Sequence, residues 1–280
     1  MFARAGRLAT AMCALALALA PAVGAAQTLN LGDLCAENGA GPVTEDTLVL
    51  HTTEAIPSFC LIILVDASLR VVGSDIAVSS LSIARSGAGT VTITDSNIAT
   101  EAAISIVGGA GPVRIVDSFL SGSNNSEIEI SGDIRIHRSE LSWDTLSSAT
   151  FLTFATSDGA VDVRASRLSN RANSFGLTTL RATEGLAVHS SEVIADLVEL
   201  DPQGKVAFVN NEVATGSEAP GGPATVAILA DSDPDAVVVV GNTFEAGAVF
   251  RFQVGVQADR CVIEANDPKA AVVGAEDACP

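Results

Sequence analysis

The chain has 280 residues, with 33 acidic against 15 basic residues for a formal net charge of −18, and its hydrophobic share is 48% with one Trp and no Tyr. So negative a surface disfavours nucleic acid and anionic membrane as partners, while favouring solubility and attraction for cations. With aromatics this scarce, the core has to come from Val, Ile, Leu and Ala, which points to a β-rich aliphatic interior.

Residues 1–26 read as an export signal. Arg4 and Arg7 form a short basic region, Leu8 to Ala20 is apolar, and Gly24-Ala25-Ala26 is a small-residue cleavage site. The mature chain is expected to begin near Gln27, in the periplasm or outside the cell. Loss of the two arginines would take the net charge from −18 to −20. No later apolar run reaches the roughly 18 residues needed to span a bilayer. Cys13 leaves with the signal, so Cys35, Cys60, Cys261 and Cys279 remain, an even number that suggests disulfides in an exported chain.

Residues 27–66 are irregular, with Pro42 and Pro57, although Leu48-Val49-Leu50 and Leu61 to Val65 resemble strands. We read this segment as an N-terminal cap merging into a first coil. From Leu69 a phrase takes over, clearest at Val113 to Leu120, V-R-I-V-D-S-F-L. It has nine copies, beginning at Leu69, Val91, Val113, Ile134, Val161, Leu186, Val206, Val237 and Cys261, with steps of 20 to 31 residues. A repeat of this size means a stacked solenoid.

Alternation sends the first and third places inward and the second and fourth outward. A second short run and a tight turn precede each phrase, as in Ile128-Glu129-Ile130 before Gly132-Asp133, so each coil is expected to carry two strands. The sixth place is Ser74, Ser96, Ser118, Ser139, Ser166, Ser191, Asn211, Asn242 and Asn266. Short polar side chains at a bend bond the backbone groups that the bend would orphan. About eight spacings of ~4.8 Å separate the ends of the stack, whereas a disulfide needs Cα atoms within ~7 Å. The pairs must therefore be Cys35 with Cys60 and Cys261 with Cys279. The solenoid is placed at residues 67–268, followed by a C-terminal cap at 269–280.

With this ladder the chain resembles the right-handed parallel β-helix proteins of the pectin-lyase-like superfamily, over about residues 69–268. The resemblance implies an all-β fold of about nine to ten coils, closed at both ends by disulfide-pinned caps. Its motif is structural and brings no catalytic residue with it. Members include pectate and alginate lyases, adhesins and proteins with no known activity.

Columns turn sequence into contacts, because equal places in successive coils lie ~4.8 Å apart. The fifth place puts Asp95 beside Asp117, a pair that would bind Ca²⁺ or raise one pKa unless Arg138, next in the column, supplies the counter-charge. Arg114, Arg135, His137 and Arg164 fall at outward places nearby, with Phe119 at a seventh place beside Asn97, Glu140 and Arg167, and with Trp143 close by. Read as a site, this is a basic face for an acidic polysaccharide. Arginines would hold carboxylates, Asp95 and Asp117 would hold Ca²⁺, and Arg138 would take the proton α to a uronate carboxyl, as the resemblance to pectate lyases implies.

Read as structure, the face is a wall on which arginines pair with Asp117, Glu140, Asp144 and Asp162, each exposed pair contributing ~0–1 kcal/mol. The second reading is preferred: aromatic platforms are few, Lys occurs only at 205 and 269, and no paired-Asp or Gly-His-Gly signature is present. Asp231, Asp233 and Asp235 are spaced like the start of a calcium loop, but Ala236 stands for its Gly and Asn242 for its closing Glu. His51, His137 and His189 lack metal-ligand spacing. The expectation is an exported, non-catalytic β-helix presenting a rigid face to a polysaccharide or protein, with no cofactor beyond such a Ca²⁺. The alternative is a polyuronate lyase working in a groove along coils three to five.

Overall fold

The structure, a computed structural model, describes residues 27–144, 149–172, 175–216, 224–230, 232, 234–245, 247–268 and 271–280. The phrase folds as an all-β parallel solenoid. Its first four places form a strand in every coil, and these strands stack in chain order as one eleven-stranded parallel sheet. First place pairs with first place without a slip: Leu69 with Val91, Val91 with Val113, Val113 with Ile134, and so on to Val237 with Cys261. From Leu69 to Val239 the inward Val, Ile and Leu of this sheet are fully buried, as the aliphatic composition requires. Phe208, Phe250 and Phe252 fill the C-terminal half of the core, with ring centroids 5.5 and 5.6 Å apart.

The stack begins earlier than the nine copies. Thr47–Leu50 pairs in register with Leu69–Val72, a tenth phrase whose corner residues are His51 and Thr52. A polar first place and a Thr at the sixth place hid it. Gln27–Thr28 adds a further short strand above Thr47 and Leu48.

Coils also carry three strand columns rather than the expected two. Places seven to ten form a second column, seen at Asn97–Thr100, Phe119–Gly122 and Glu140–Asp144. The anticipated short run forms the third, as in Ile104–Gly108 and Ser126–Ile130. In the early coils one long strand, such as Asp75–Ser86, serves both columns. The second column escaped notice because its residues are mostly small or polar, with a single large inward apolar residue in several coils, such as Ile98 or Leu120.

Between the first and second columns the chain bends at the fifth place. From His51 to Ala265 all ten of these residues are left-handed, with φ between 47° and 68°, and only Gly73 and Gly241 are glycine. The bend turns the sixth side chain inward, where it is 1–6% exposed from Ser74 to Asn266. There it accepts the sixth-place backbone N–H of the coil before. Ser96 donates to Ser118 Oγ, Ser118 to Ser139, Ser139 to Ser166 and Ser166 to Ser191, each at 3.2 Å. The series passes on to Asn211, Asn242 and Asn266 at 3.0, 2.9 and 3.1 Å. Ser118 returns its proton to Val116 O in its own coil, at 2.7 Å. Asn side chains are longer and reach back one coil, Asn211 to Val188 O and Asn242 to Phe208 O.

Both caps are pinned as expected. Cys35–Cys60 has a Cα–Cα distance of 4.9 Å and Cys261–Cys279 one of 5.6 Å. Above the first coil, Leu31 and Leu34 are buried on a short helical turn. The Glu54 carboxylate accepts the Leu31 and Gly32 N–H groups, both at 2.8 Å, and ties that turn to the strand Thr53–Val65. Among the described residues no helix is long and apolar enough to cross a membrane.

Candidate functional site

The left-handed bend sets the fifth and seventh side chains on either side of the buried sixth, so a shallow open trough of about 970 Å³ follows the corner. Asp95, Asp117 and Arg138 line one side, and Asp75, Asn97, Phe119, Glu140, Arg167 and Glu192 line the other. Phe119 stands in register between Asn97 and Glu140 and is 37% exposed. With five carboxylates against two arginines, this corner is acidic.

Arg138 reaches back along the column and grips Asp117 with two parallel hydrogen bonds, Nε to Oδ1 at 2.7 Å and Nη2 to Oδ2 at 2.6 Å. The Arg138 hydrogen bonds first, and its charge after them, hold the Asp117 carboxyl below the usual carboxylate range against the opposing effect of desolvation. In return the Asp117 hydrogen bonds and charge, with Asp95 adding to them, raise the Arg138 guanidinium. A guanidinium so stabilised as a cation is a poorer proton acceptor than free arginine. Asp117 offers a cation no oxygen that Arg138 does not already occupy. Across the corner Arg167 lies 3.4 Å from Glu192 and 3.9 Å from Glu140.

Arg114, Arg135, His137 and Arg164 lie elsewhere, on the flat outer face of the eleven-stranded sheet. The single basic face therefore divides into an acidic corner and a basic sheet face. Here Arg114 and Arg135 are register neighbours, as are His137 and Arg164. Asp162 holds two groups at once, accepting Arg164 Nε at 2.7 Å and meeting His137 Nε2 at 3.2 Å. Arg135 bonds Asp133 at 2.8 Å. Burial alone would raise Asp133, but the Ala160 N–H, Arg135 and Arg114 outweigh it and lower the carboxyl. A hollow of about 550 Å³ runs from these residues to Lys205. No family model matches the chain, and no curated protein or solved structure matches it either.

Trp143 requires a correction. It is 2% exposed, inside the second column, with Nε1 donating to Ser126 Oγ at 2.7 Å. Gly122 below it leaves the space, since a Cβ there would stand 2.8 Å from Nε1. Counting the alternation on from inward Leu141 places Trp143 inward as well, a signal present in the sequence. Sequence reading also passed over Asp133 and Lys205 as members of the sheet-face cluster. Residues 1–26, Asp231, Asp233 and the Asp144 side chain lie outside the described residues, while Asp235 is exposed. Among the described residues no group of three or more His, Cys, Asp or Glu side chains is placed to hold a metal ion.

Proposed function

We propose that the protein is an exported, non-catalytic β-helix of the pectin-lyase-like kind, which uses its rigid outer sheet face to bind an acidic polysaccharide. The observation that carries the reading is the Arg138–Asp117 pair, because it engages the residues a lyase would use as base and cation ligand. The sheet face fits a polyanion better than the corner does. It presents Arg114, Arg135 and Arg164 on three successive coils and Lys205 two coils further on, and stacked parallel strands hold successive coils at a fixed ~4.8 Å step. Arg114 is exposed and, among the described residues, makes no ion pair. Export is supported by the signal-like residues 1–26 and by two disulfides, which persist in oxidising compartments.

A glycan array with wild type and Arg114→Ala tests the reading. Binding to uronate-rich chains that weakens with salt and falls in the variant is expected. Equal binding by the variant would remove the sheet face from consideration. Incubation with pectate, alginate and glycosaminoglycans, with and without Ca²⁺, is expected to yield no unsaturated uronate absorbance. Its appearance would replace binding by elimination chemistry.

A further inference from the structure

We propose that the C-terminal edge of the eleven-stranded sheet is a homodimer interface, in which Cys261–Glu264 of two copies pair antiparallel about a two-fold axis at Ile263. In the nine rungs from Thr47 to Val240, the first and third residues are at most 1% exposed. At the last rung Cys261 and Ile263 are only half-buried. The C-terminal helix Ala275–Ala278 lies against Val249–Phe252, and Val272–Val273 pairs with the same strand, so this cap covers the neighbouring sheet. Among the described residues no strand pairs with the outer edge of Cys261–Glu264. A hollow of about 300 Å³ lies there, lined by Ile263, Glu264, Ala265 and Asn266.

Backbone polarity follows from the ladder. Val237 N–H donates to Arg260 O at 2.8 Å and Gly241 N–H to Glu264 O at 3.0 Å, so Arg260, Val262 and Glu264 face the preceding rung. The alternate residues Cys261, Ile263 and Ala265 then turn their N–H and C=O groups to the free edge. An exposed apolar edge of this kind recruits a further strand.

A second copy fits as that strand. Antiparallel pairing centred on Ile263 exchanges two N–H···O=C bonds between the isoleucines and sets Val262 opposite the other copy's Glu264. It also places Arg260 diagonal to that Glu264, twice by symmetry, so the charges complement. Val262, 44% exposed, stands in register beside outward Val238, and pairing covers it with the aliphatic stem of the other copy's Glu264. The opposite end differs in kind, since a two-residue strand, Gln27–Thr28, and a helical turn with buried Leu31 and Leu34 occupy it, and it offers no matching four-residue edge for head-to-tail growth among the described residues. The closed two-fold arrangement is what remains.

Sedimentation equilibrium of the whole chain over a concentration series tests this, at ~0.15 M salt so that the net negative charge is screened within ~8 Å. Wild type is expected to dimerise. Val262→Glu sets like charges opposite each other at two places and is expected to weaken the dimer at least about tenfold. Ile263→Pro removes an edge N–H that the folded monomer does not use, and is expected to leave monomer. A wild type that stays monomeric at every concentration overturns the proposal. So does a dimer whose dissociation constant either folded variant leaves unchanged. Should Ile263→Pro lose its β spectrum, Val262→Glu alone decides, since its side chain is exposed in the monomer.

Discussion

Arg138 and Asp117 sit one coil apart at the same left-handed corner, joined by two parallel hydrogen bonds of 2.7 and 2.6 Å on an open surface. Their side chains are 60% and 36% exposed, so water competes for both partners and the pair adds little to folding. Arg138→Gln is therefore expected to leave the melting midpoint unchanged. The Asp117 carboxyl should return toward its ordinary pKa, which carboxylate NMR titration reads directly. An unmoved Asp117 would mean that the bidentate pair does not persist in solution.

The Ser and Asn ladder is buried, and there the balance reverses. Ser118→Ala strands the Ser96 N–H and is expected to cost about 1–3 kcal/mol in urea unfolding. Asn242 accepts from both the Asn211 backbone and its side chain, and donates to Phe208 O and Asn266 Oδ1. Asn242→Ala should cost more than Ser118→Ala, about 3 kcal/mol or above. Equal losses would show that the ladder's asparagines are interchangeable with its serines.

Eight of the ten corner residues carry a Cβ at positive φ. Ala165→Gly is expected to raise stability by about 0.5–1 kcal/mol, since the left-handed strain exceeds the extra chain entropy lost by glycine. The opposite change, Gly241→Ala, would bring a Cβ to 2.2 Å from Asn210 Oδ1 and should destabilise. Thermal melts of the two variants should shift in opposite directions.

His189 gives the fold a dependence on mild acid. Burial first and the Arg164 charge second hold its imidazole below the ordinary value of about 6.5, against the pull of Asp162. Below pH ~6.5 the unfolded chain takes up a proton that folded His189 still refuses, so stability falls until pH reaches the lowered value. His189→Gln should flatten that limb in chemical unfolding at stepped pH. Asp133, depressed and more protected, acts lower: its contribution is present above the ordinary carboxylate range and is lost as pH falls through its lowered value. That second limb should survive in His189→Gln.

Much of the architecture could be read from residue order because a solenoid converts it into position. Inward Val113 and Ile115, buried Ser118 and the pairing of Cys35 with Cys60 each follow from counting places along a phrase and stacking equal places. The same counting reached Arg114 and Arg135 as neighbours and Asp117 as the neighbour of Arg138. It read Leu48-Val49-Leu50 as strand-like without recognising a tenth copy of the phrase from Thr47, and it missed the second column, where polar and small residues break the apolar alternation that marks a strand. It also took Trp143 for a surface ring by nearness in sequence, when its side of the strand sends it inward.

Local periodicity and cysteine arithmetic alone determine the solenoid, its register and its staples, because each depends on separations along the chain. Only the tertiary structure decides how the outer surface divides. The left-handed fifth place carries Asp95, Asp117 and Arg138 around a corner, away from Arg114, Arg135 and Arg164, although the two sets interleave in sequence. That turn is a backbone property which Asp, Arg, Ala, Ser and Asn all adopt here, so no residue type announces it.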